Sequence, residues 1–303
     1  YASAHGTGQA WIPGTYDPEL NLYIVGTGNP NPVMAEKSRK GDNLYTCSIV
    51  AINPDTGKLV WYFQPSPHDV HDWDAVETPV IFDGVIDGQP RKLVAQASRN
   101  GYFFVLDRAT GKLLVREPMA DTLNWAKGFD AKGQPIPDPA KYPTTDGVLV
   151  SPSSVGVTNW QAPSYSPQTG LFYVGTSRSY SMYYLTDTDD HPEGWGGLDS
   201  NAGNEGNALL ALDYRTGKPK WKHEWPSNSG ITNNLSTAGR LLFTSNGQNL
   251  VAFDAANGKI LWHTTLMGAP SGGPITYMLD GRQYVLIAAG DSLYAFRVNE
   301  AAK

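Results

Sequence analysis

Along this chain of 303 residues the apolar positions fall in short runs broken by turn residues, and nowhere do they keep the spacing of a helix. The runs recur in one frame. AINPDTGKLVW ends at Trp61, VLDRATGKLLV at Val115, ALDYRTGKPKW at Trp221 and AFDAANGKILW at Trp262. Each copy has an apolar pair, then Asn or Asp, then Gly four residues later, then a bulky residue four further on. Its glycines are Gly57, Gly111, Gly217 and Gly258. The pattern predicts a strand, a tight turn that needs a permissive backbone at Gly, and a second strand. The closing Trp is expected to dock on the neighbouring unit, and Val115 departs from that rule once.

Two further frames complete the unit. YDPELNLYIVGTG from Tyr16 matches YSPQTGLFYVGTS from Tyr165, and RLLFTSNGQNLVAFD from Arg240 is a looser copy. TPVIFDGVIDGQPRKLVAQASRNGYFFVLD from Thr78 recurs as GPITYMLDGRQYVLIAAGDSLYAFRV from Gly273. Together they predict an all-β chain of four-stranded antiparallel units with the spacing of β-propeller blades. The units lie near 11–63, 77–115, 155–225 and 230–265, with a three-strand remainder at 272–297. The Pro-rich stretch 116–152 and the Gly/Asp-rich stretch 178–206 are expected to be long loops. Four blades and a fraction do not close an ordinary ring, and an open blade leaves a sheet edge bare. Residues 1–303 therefore read as part of one propeller domain, with the missing blades expected on the N-terminal side.

Composition narrows the class. Gly 32, Pro 22, Trp 9, Tyr 16 and Phe 9 suit a turn-rich β fold. The net charge is −6, without a basic run, which argues against a nucleic-acid partner. No stretch of eighteen apolar residues is present, so no membrane-spanning helix is expected. Cys47 is the single cysteine and reads as a small buried strand residue, and no haem-attachment motif is present. His68 and His71 are three apart but lack a third nitrogen or thiolate ligand for zinc. His5, His191, His223 and His263 form no spacing pattern and read as surface or edge residues.

Candidate chemistry concentrates in two segments. GTGNPNP, Gly26 to Pro32, places the amide of Asn29 at the end of an apolar run. PHDVHDWDA, Pro67 to Ala75, places Asp72 and Asp74 on alternate positions, which in an extended strand would face one side. Oxygen ligands of this kind with a base beside them suit a hard cation that polarises a carbonyl.

With the text around them, these segments resemble the pyrroloquinoline quinone (PQQ) dependent alcohol dehydrogenases, the methanol dehydrogenase-like quinoproteins, and specifically their C-terminal half. The resemblance runs over most of the chain and implies an eight-bladed propeller. It makes Trp11 the floor under PQQ, where a flat quinone gains from stacking on an indole. It makes Asn29 an amide metal ligand within G-x-G-N-P and Asp72 the catalytic aspartate, also beside the metal. Here His71 replaces the Trp of the family's H-D-x-W-D. Asp74 stands where an extra acid accompanies lanthanide use, its charge favouring a trivalent ion over Ca2+. Arg99, in SRNG, matches the arginine that bonds the quinone oxygens, and Asn159 and Trp160 match a pair near the cofactor edge. Ile231 stands where the family often has another cofactor-contacting Trp. The family's glutamate ligand and cysteine pair belong to the N-terminal half.

The resemblance implies oxidation of an alcohol to the carbonyl, with hydride passing to metal-activated PQQ and electrons to a cytochrome c in the periplasm. The substrate would be a small primary alcohol, a sugar or a polyol. A non-catalytic propeller scaffold would share the blades, and aromatic content alone would also allow a carbohydrate-binding β protein. Neither alternative accounts for Trp11, Asn29, Asp72 and Arg99 occurring together.

Overall fold

The computed structural model describes residues 7–225 and 230–298. His5 lies outside them. The described residues form strands and two short 3-10 turns, and no helix among them is long and apolar enough to cross a membrane.

The strands follow the predicted frames. β1 (Thr15–Asp17), β2 (Leu22–Gly26), β3 (Ile49–Asn53) and β4 (Lys58–Phe63) make one antiparallel sheet in chain order. β5 (Val80–Ile86), β6 (Gln89–Ala97), β7 (Tyr102–Asp107) and β8 (Leu113–Pro118) make the next. β9 (Ala126–Phe129) and β10 (Pro135–Pro137) form a small hairpin. β11 (Val148–Val150), β12 (Ser164–Ser166), β13 (Leu171–Leu185), β14 (Gly197–Asp213) and β15 (Pro219–Trp225) share a five-stranded sheet. β16 (Asn234–Ser236), β17 (Leu241–Asn246), β18 (Asn249–Asp254) and β19 (Ile260–Thr265) form a further four-stranded sheet. β20 (Ile275–Leu279), β21 (Arg282–Ala289) and β22 (Ser292–Phe296) are the three-stranded remainder.

Two of the expected loops contain strands. The stretch 116–152 holds the end of β8, the β9–β10 hairpin and β11. The stretch 178–206 is largely the far part of the long β13 and β14 strands. Polar composition hid the far part of β13 because its buried positions include small hydroxyls with side-chain partners. Ser179 Oγ lies 2.8 Å from Ser153 Oγ, and Ser181 Oγ donates to Asp199 Oδ2 at 2.9 Å. Cys47 is buried as expected, but in a turn with φ +45° just before β3 rather than within a strand.

The chain divides into two compact units. The first comprises 1–160, 177–206 and 214–218, and the second 161–176, 207–213 and 219–303. The core of the first unit joins Ile24, Ile49, Trp61, Trp73, Phe104 and Trp125. That of the second joins Tyr173, Leu209, Leu242 and Phe253.

The closing Trp of the frame docks as anticipated. Within the first unit the Trp61 indole donates to the Arg108 carbonyl at 3.0 Å and covers Gly111, where an added Cβ would lie 2.6 Å from the ring. Within the second, Trp221 donates to the Ala255 carbonyl at 3.0 Å and covers Gly258 in the same way. Val115 and Glu117 take the corresponding place against Gly217.

Candidate cofactor and metal site

β2 carries the chain past Gly26 and Gly28 to Asn29, alongside the segment 74–76. Gly26 has no room for a side chain, since a Cβ there would fall 1.8 Å from the Ala75 carbonyl oxygen. The two segments are tied by Ala75 N–H to the Thr27 carbonyl at 3.0 Å. This close backbone approach sets the Asp74 carboxylate beside Asn29. Asp74 Oδ1 accepts the Asn29 backbone N–H at 2.5 Å, and Oδ2 accepts the Trp11 indole N–H at 2.6 Å. The Asn29 side-chain Nδ2 donates to the Pro30 carbonyl at 3.0 Å, leaving the amide oxygen as the end that can serve a cation. Trp11 is 44% exposed, so its ring is fixed at the nitrogen edge while its surface stays accessible.

Asp72 reaches the same place by another route. It is not in a strand, and its φ is +67°. Asp tolerates this left-handed conformation better than most residues. The strand alternation expected to bring Asp72 and Asp74 together is therefore absent, and a turn does the work. Asp69 Oδ2 accepts N–H bonds from His71 at 3.4 Å, Asp72 at 2.9 Å and Trp73 at 3.2 Å. Trp73 is fully buried and donates its indole N–H to the Ser153 carbonyl at 2.9 Å. His71 stacks on it with ring centroids 4.3 Å apart, and burial lowers its pKa to about 4, so it is neutral. His71 thus fills a core place, where the family motif has Trp.

Arg99 joins the two carboxylates. One terminal nitrogen donates to Asp72 Oδ2 at 2.9 Å, and the other lies 3.4 Å from Asp74 Oδ2. Its Nε donates to the Ser154 carbonyl at 2.8 Å, and its own carbonyl accepts Val157 N–H at 3.0 Å. Gly156 presses against the Arg99 stem, where an added Cβ would lie 2.4 Å from Cγ. The loop so clamped leads to the other expected pair. Asn159 Nδ2 donates to the Val155 carbonyl at 2.8 Å, and Trp160 follows at 46% exposure. Trp11, Asn29, Asp72, Asp74 and Arg99 are thus joined by these contacts, while Asn159 and Trp160 lie on the loop that Arg99 holds at Ser154 and Val157.

The electrostatics are unbalanced toward acid. Burial is the main cause that raises Asp72 to about 7. Arg99 opposes the rise, and Asp74 and Asp69 add to it. Burial raises Asp69 to about 6 against the pull of Arg39. Glu77 is 2% exposed, and burial pushes its carboxyl well up. Arg99 stays charged: burial works against it, but Asp72 and then Asp74 hold its pKa up. Asp69 Oδ1, Gln96 Oε1 and Ser98 Oγ are buried without hydrogen-bond partners. A surplus of buried oxygen acceptors around one arginine fits an added cation. The exposed face of Trp11 fits a flat ring system. Among the described residues no three His, Cys, Asp or Glu side chains form a metal cage. Arg39 and Glu77 lie outside the quoted motifs, and Asp69, although inside H-D-x-W-D, carries no assigned role there, since these roles depend on burial rather than spacing.

Comparison with known proteins gives the family of the chain. Residues 1–145 and 224–285 match the family model for the PQQ glucose/ethanol/alcohol dehydrogenase β-propeller domain. The chain is 37% identical over 301 residues to the quinoprotein alcohol dehydrogenase PedH of Pseudomonas putida, covering 94% of this chain and 50% of that protein. It is 38% identical over 310 residues to the quinohemoprotein alcohol dehydrogenase of Comamonas testosteroni, covering 95% and 43%. The crystal structure of a quinohemoprotein alcohol dehydrogenase from that organism superposes with a TM-score of 0.87 at 35% identity, over 95% of this chain and 45% of the other. A europium-containing methanol dehydrogenase superposes with a TM-score of 0.78 at 34% identity, over 93% and 51%. The chain spans about half the length of the curated relatives it matches. With its repeated four-stranded sheets, its match over both stretches of the family model and its likeness to solved quinoproteins, the chain belongs to the PQQ-dependent glucose/ethanol/alcohol dehydrogenase family of β-propeller domains.

Proposed function

We propose that this chain supplies one part of the active site of a PQQ-dependent alcohol dehydrogenase, with Asp72 as the catalytic base. The observation that carries the reading is the buried fork of Arg99 on Asp72 and Asp74, with Trp11 and Asn29 both hydrogen-bonded to Asp74. The sheets are read as part of a single propeller whose further blades complete the ring and the ligand set.

Bound there, PQQ and its metal ion supply a two-electron hydride acceptor and a Lewis acid. The chain's own residues do the rest. Asn29, through its amide oxygen, and Asp72 and Asp74, through their carboxylates, hold the ion. Trp11 presents a ring face to the cofactor, and Asn159 and Trp160 border it. Arg99 places positive charge where the quinone oxygens gain electron density. A nearby cation favours the ionised form of Asp72. Ionised, Asp72 accepts the hydroxyl proton of a primary alcohol, or of a sugar or polyol, as the C–H hydride leaves.

Asp74 adds a second carboxylate beside Asn29, which supports a lanthanide in preference to Ca2+. The likeness to a europium-containing methanol dehydrogenase supports the same choice. Relatives named quinohemoproteins support a cytochrome-type electron acceptor, and a periplasmic location accords with that chemistry. The test is to load the full-length protein with PQQ and either La3+ or Ca2+, then add ethanol and an artificial electron acceptor. The expected result is dye reduction that needs alcohol, PQQ and metal together. Stoichiometric PQQ binding with no alcohol-dependent reduction across primary alcohols, sugars and polyols would overturn the reading.

A further inference from the structure

We propose that Asp69 is a positioning residue for Asp72: its carboxylate holds the 69–73 turn and so sets where the Asp72 carboxylate points. The inference rests on the assignment of Asp72 as the base. Three observations carry it. One oxygen, Asp69 Oδ2, gathers the backbone N–H groups of His71, Asp72 and Trp73. The residue in the middle of that set is in the left-handed region, a conformation that an L-residue with a side chain keeps only when its surroundings hold it. Asp69 is itself anchored, because Arg39 donates to its carbonyl oxygen at 2.9 Å and also to the carbonyls of Pro32 and Val33 at 2.8 Å.

Asp69 is 3% exposed, with Oδ2 bonded to backbone donors and Oδ1 buried, so it acts through the turn rather than by touching substrate. Its influence passes through the peptide units on either side of Asp72. From that turn Asp72 Oδ2 meets Arg99 at 2.9 Å, and Trp73 is pinned to the Ser153 carbonyl. The base is therefore held at its side chain by Arg99 and at its backbone by Asp69. Proton transfer needs heavy atoms within about 2.6–3.2 Å. A displacement of about 1 Å can cost about 100-fold in rate.

The experiment compares D69A, D69N and D72N in the full-length protein loaded with PQQ and metal. Turnover, KM for the alcohol, PQQ content by absorbance and melting temperature are measured for each. D69A removes the acceptor, and kcat should fall by about 10- to 100-fold, while KM and PQQ content stay within about threefold of wild type. D69N keeps an oxygen for the three N–H groups but loses the charge facing Arg39. It should recover most of the lost kcat while its melting temperature drops. That split separates positioning from a merely structural role, in which turnover and PQQ content would fall together with stability.

A folded, PQQ-loaded D69A with wild-type kcat overturns the proposal. So does an equal loss of kcat in D69A and D69N, which would make charge rather than the acceptor the cause. If D69A does not fold, D69S replaces it. The serine hydroxyl sits one bond closer to the backbone than Oδ2 and cannot take its place among the three N–H groups, so the same direction of loss is expected, and unchanged turnover overturns the proposal. D72N separates the two levels. An active D72N removes the base assignment and the positioning role with it. An inactive D72N with an active D69A removes the positioning role alone.

Discussion

Glu77 lies three residues past Asp74 and is 2% exposed. Burial raises its pKa well above 4.5, and Arg99 offsets this only in part. A carboxyl raised in the folded state contributes stability that is fully present below its unfolded pKa and is lost as pH rises toward the folded value. Glu77→Gln mimics the neutral acid. The variant should match wild type in urea midpoint near pH 4.5 and exceed it increasingly toward pH 8, and parallel pH curves would contradict the assignment. Asp74 allows a test of metal choice. Asp74→Asn keeps an oxygen for Asn29 and removes one charge, so lanthanide-supported turnover should fall about tenfold more than Ca2+-supported turnover, since ligand charge count tunes affinity. Equal losses with both metals would mean that Asp74 does not select the ion. That Asp72, Asp74 and Arg99 lie together was legible through the family resemblance, whose motifs fix residue types at fixed spacing. The reason the two aspartates converge was not, because a left-handed turn held by Asp69 replaces the extended strand that alternation suggests.

The four Asn/Asp–Gly–bulky frames mark the hairpins at element scale. Gly57, Gly111, Gly217 and Gly258 all have φ between +66° and +74°, which is the property the frame demands. Which of these glycines are also sockets could not be read from the frame, since that depends on what packs over them. An added Cβ at Gly57 meets open space, whereas one at Gly111 collides with the Trp61 ring. Gly57→Ala should therefore cost only the left-handed penalty of about 1–2 kcal/mol. Gly111→Ala should cost about 1–3 kcal/mol more, as overpacking does. Urea titration of both variants checks the difference, and equal losses would mean that the Trp61 contact is not tight. The outer part of β13 escaped for a different reason. Ser179 and Ser181 bury small polar groups paired with Ser153 and Asp199, so no apolar alternation marks the strand.

At the scale of the molecule, repeat counting was the informative signal. It placed three four-stranded sheets and the three-stranded remainder, β20 to β22, within a few residues of their observed limits, but the unit expected at 155–225 proved to be a five-stranded sheet that begins with β11 at Val148. It could not supply partner residues outside the sequence, and the chain covers about half the length of its curated relatives. The fork of Arg99 on two buried carboxylates is costly to leave incomplete: removing one member of such a pair typically costs about 3–5 kcal/mol. Arg99→Met should accordingly lower stability by about that amount, measurable as a urea midpoint shift, and a neutral change would show that the fork is not formed in solution. The central claim is that Asp72 takes the alcohol proton. Its direct measurement is turnover of the PQQ- and metal-loaded full-length protein carrying Asp72→Asn, with bound PQQ counted by absorbance. The account predicts a loss of at least about 100-fold, the low end for removal of a general base, with PQQ still bound. Wild-type turnover in that variant would contradict it.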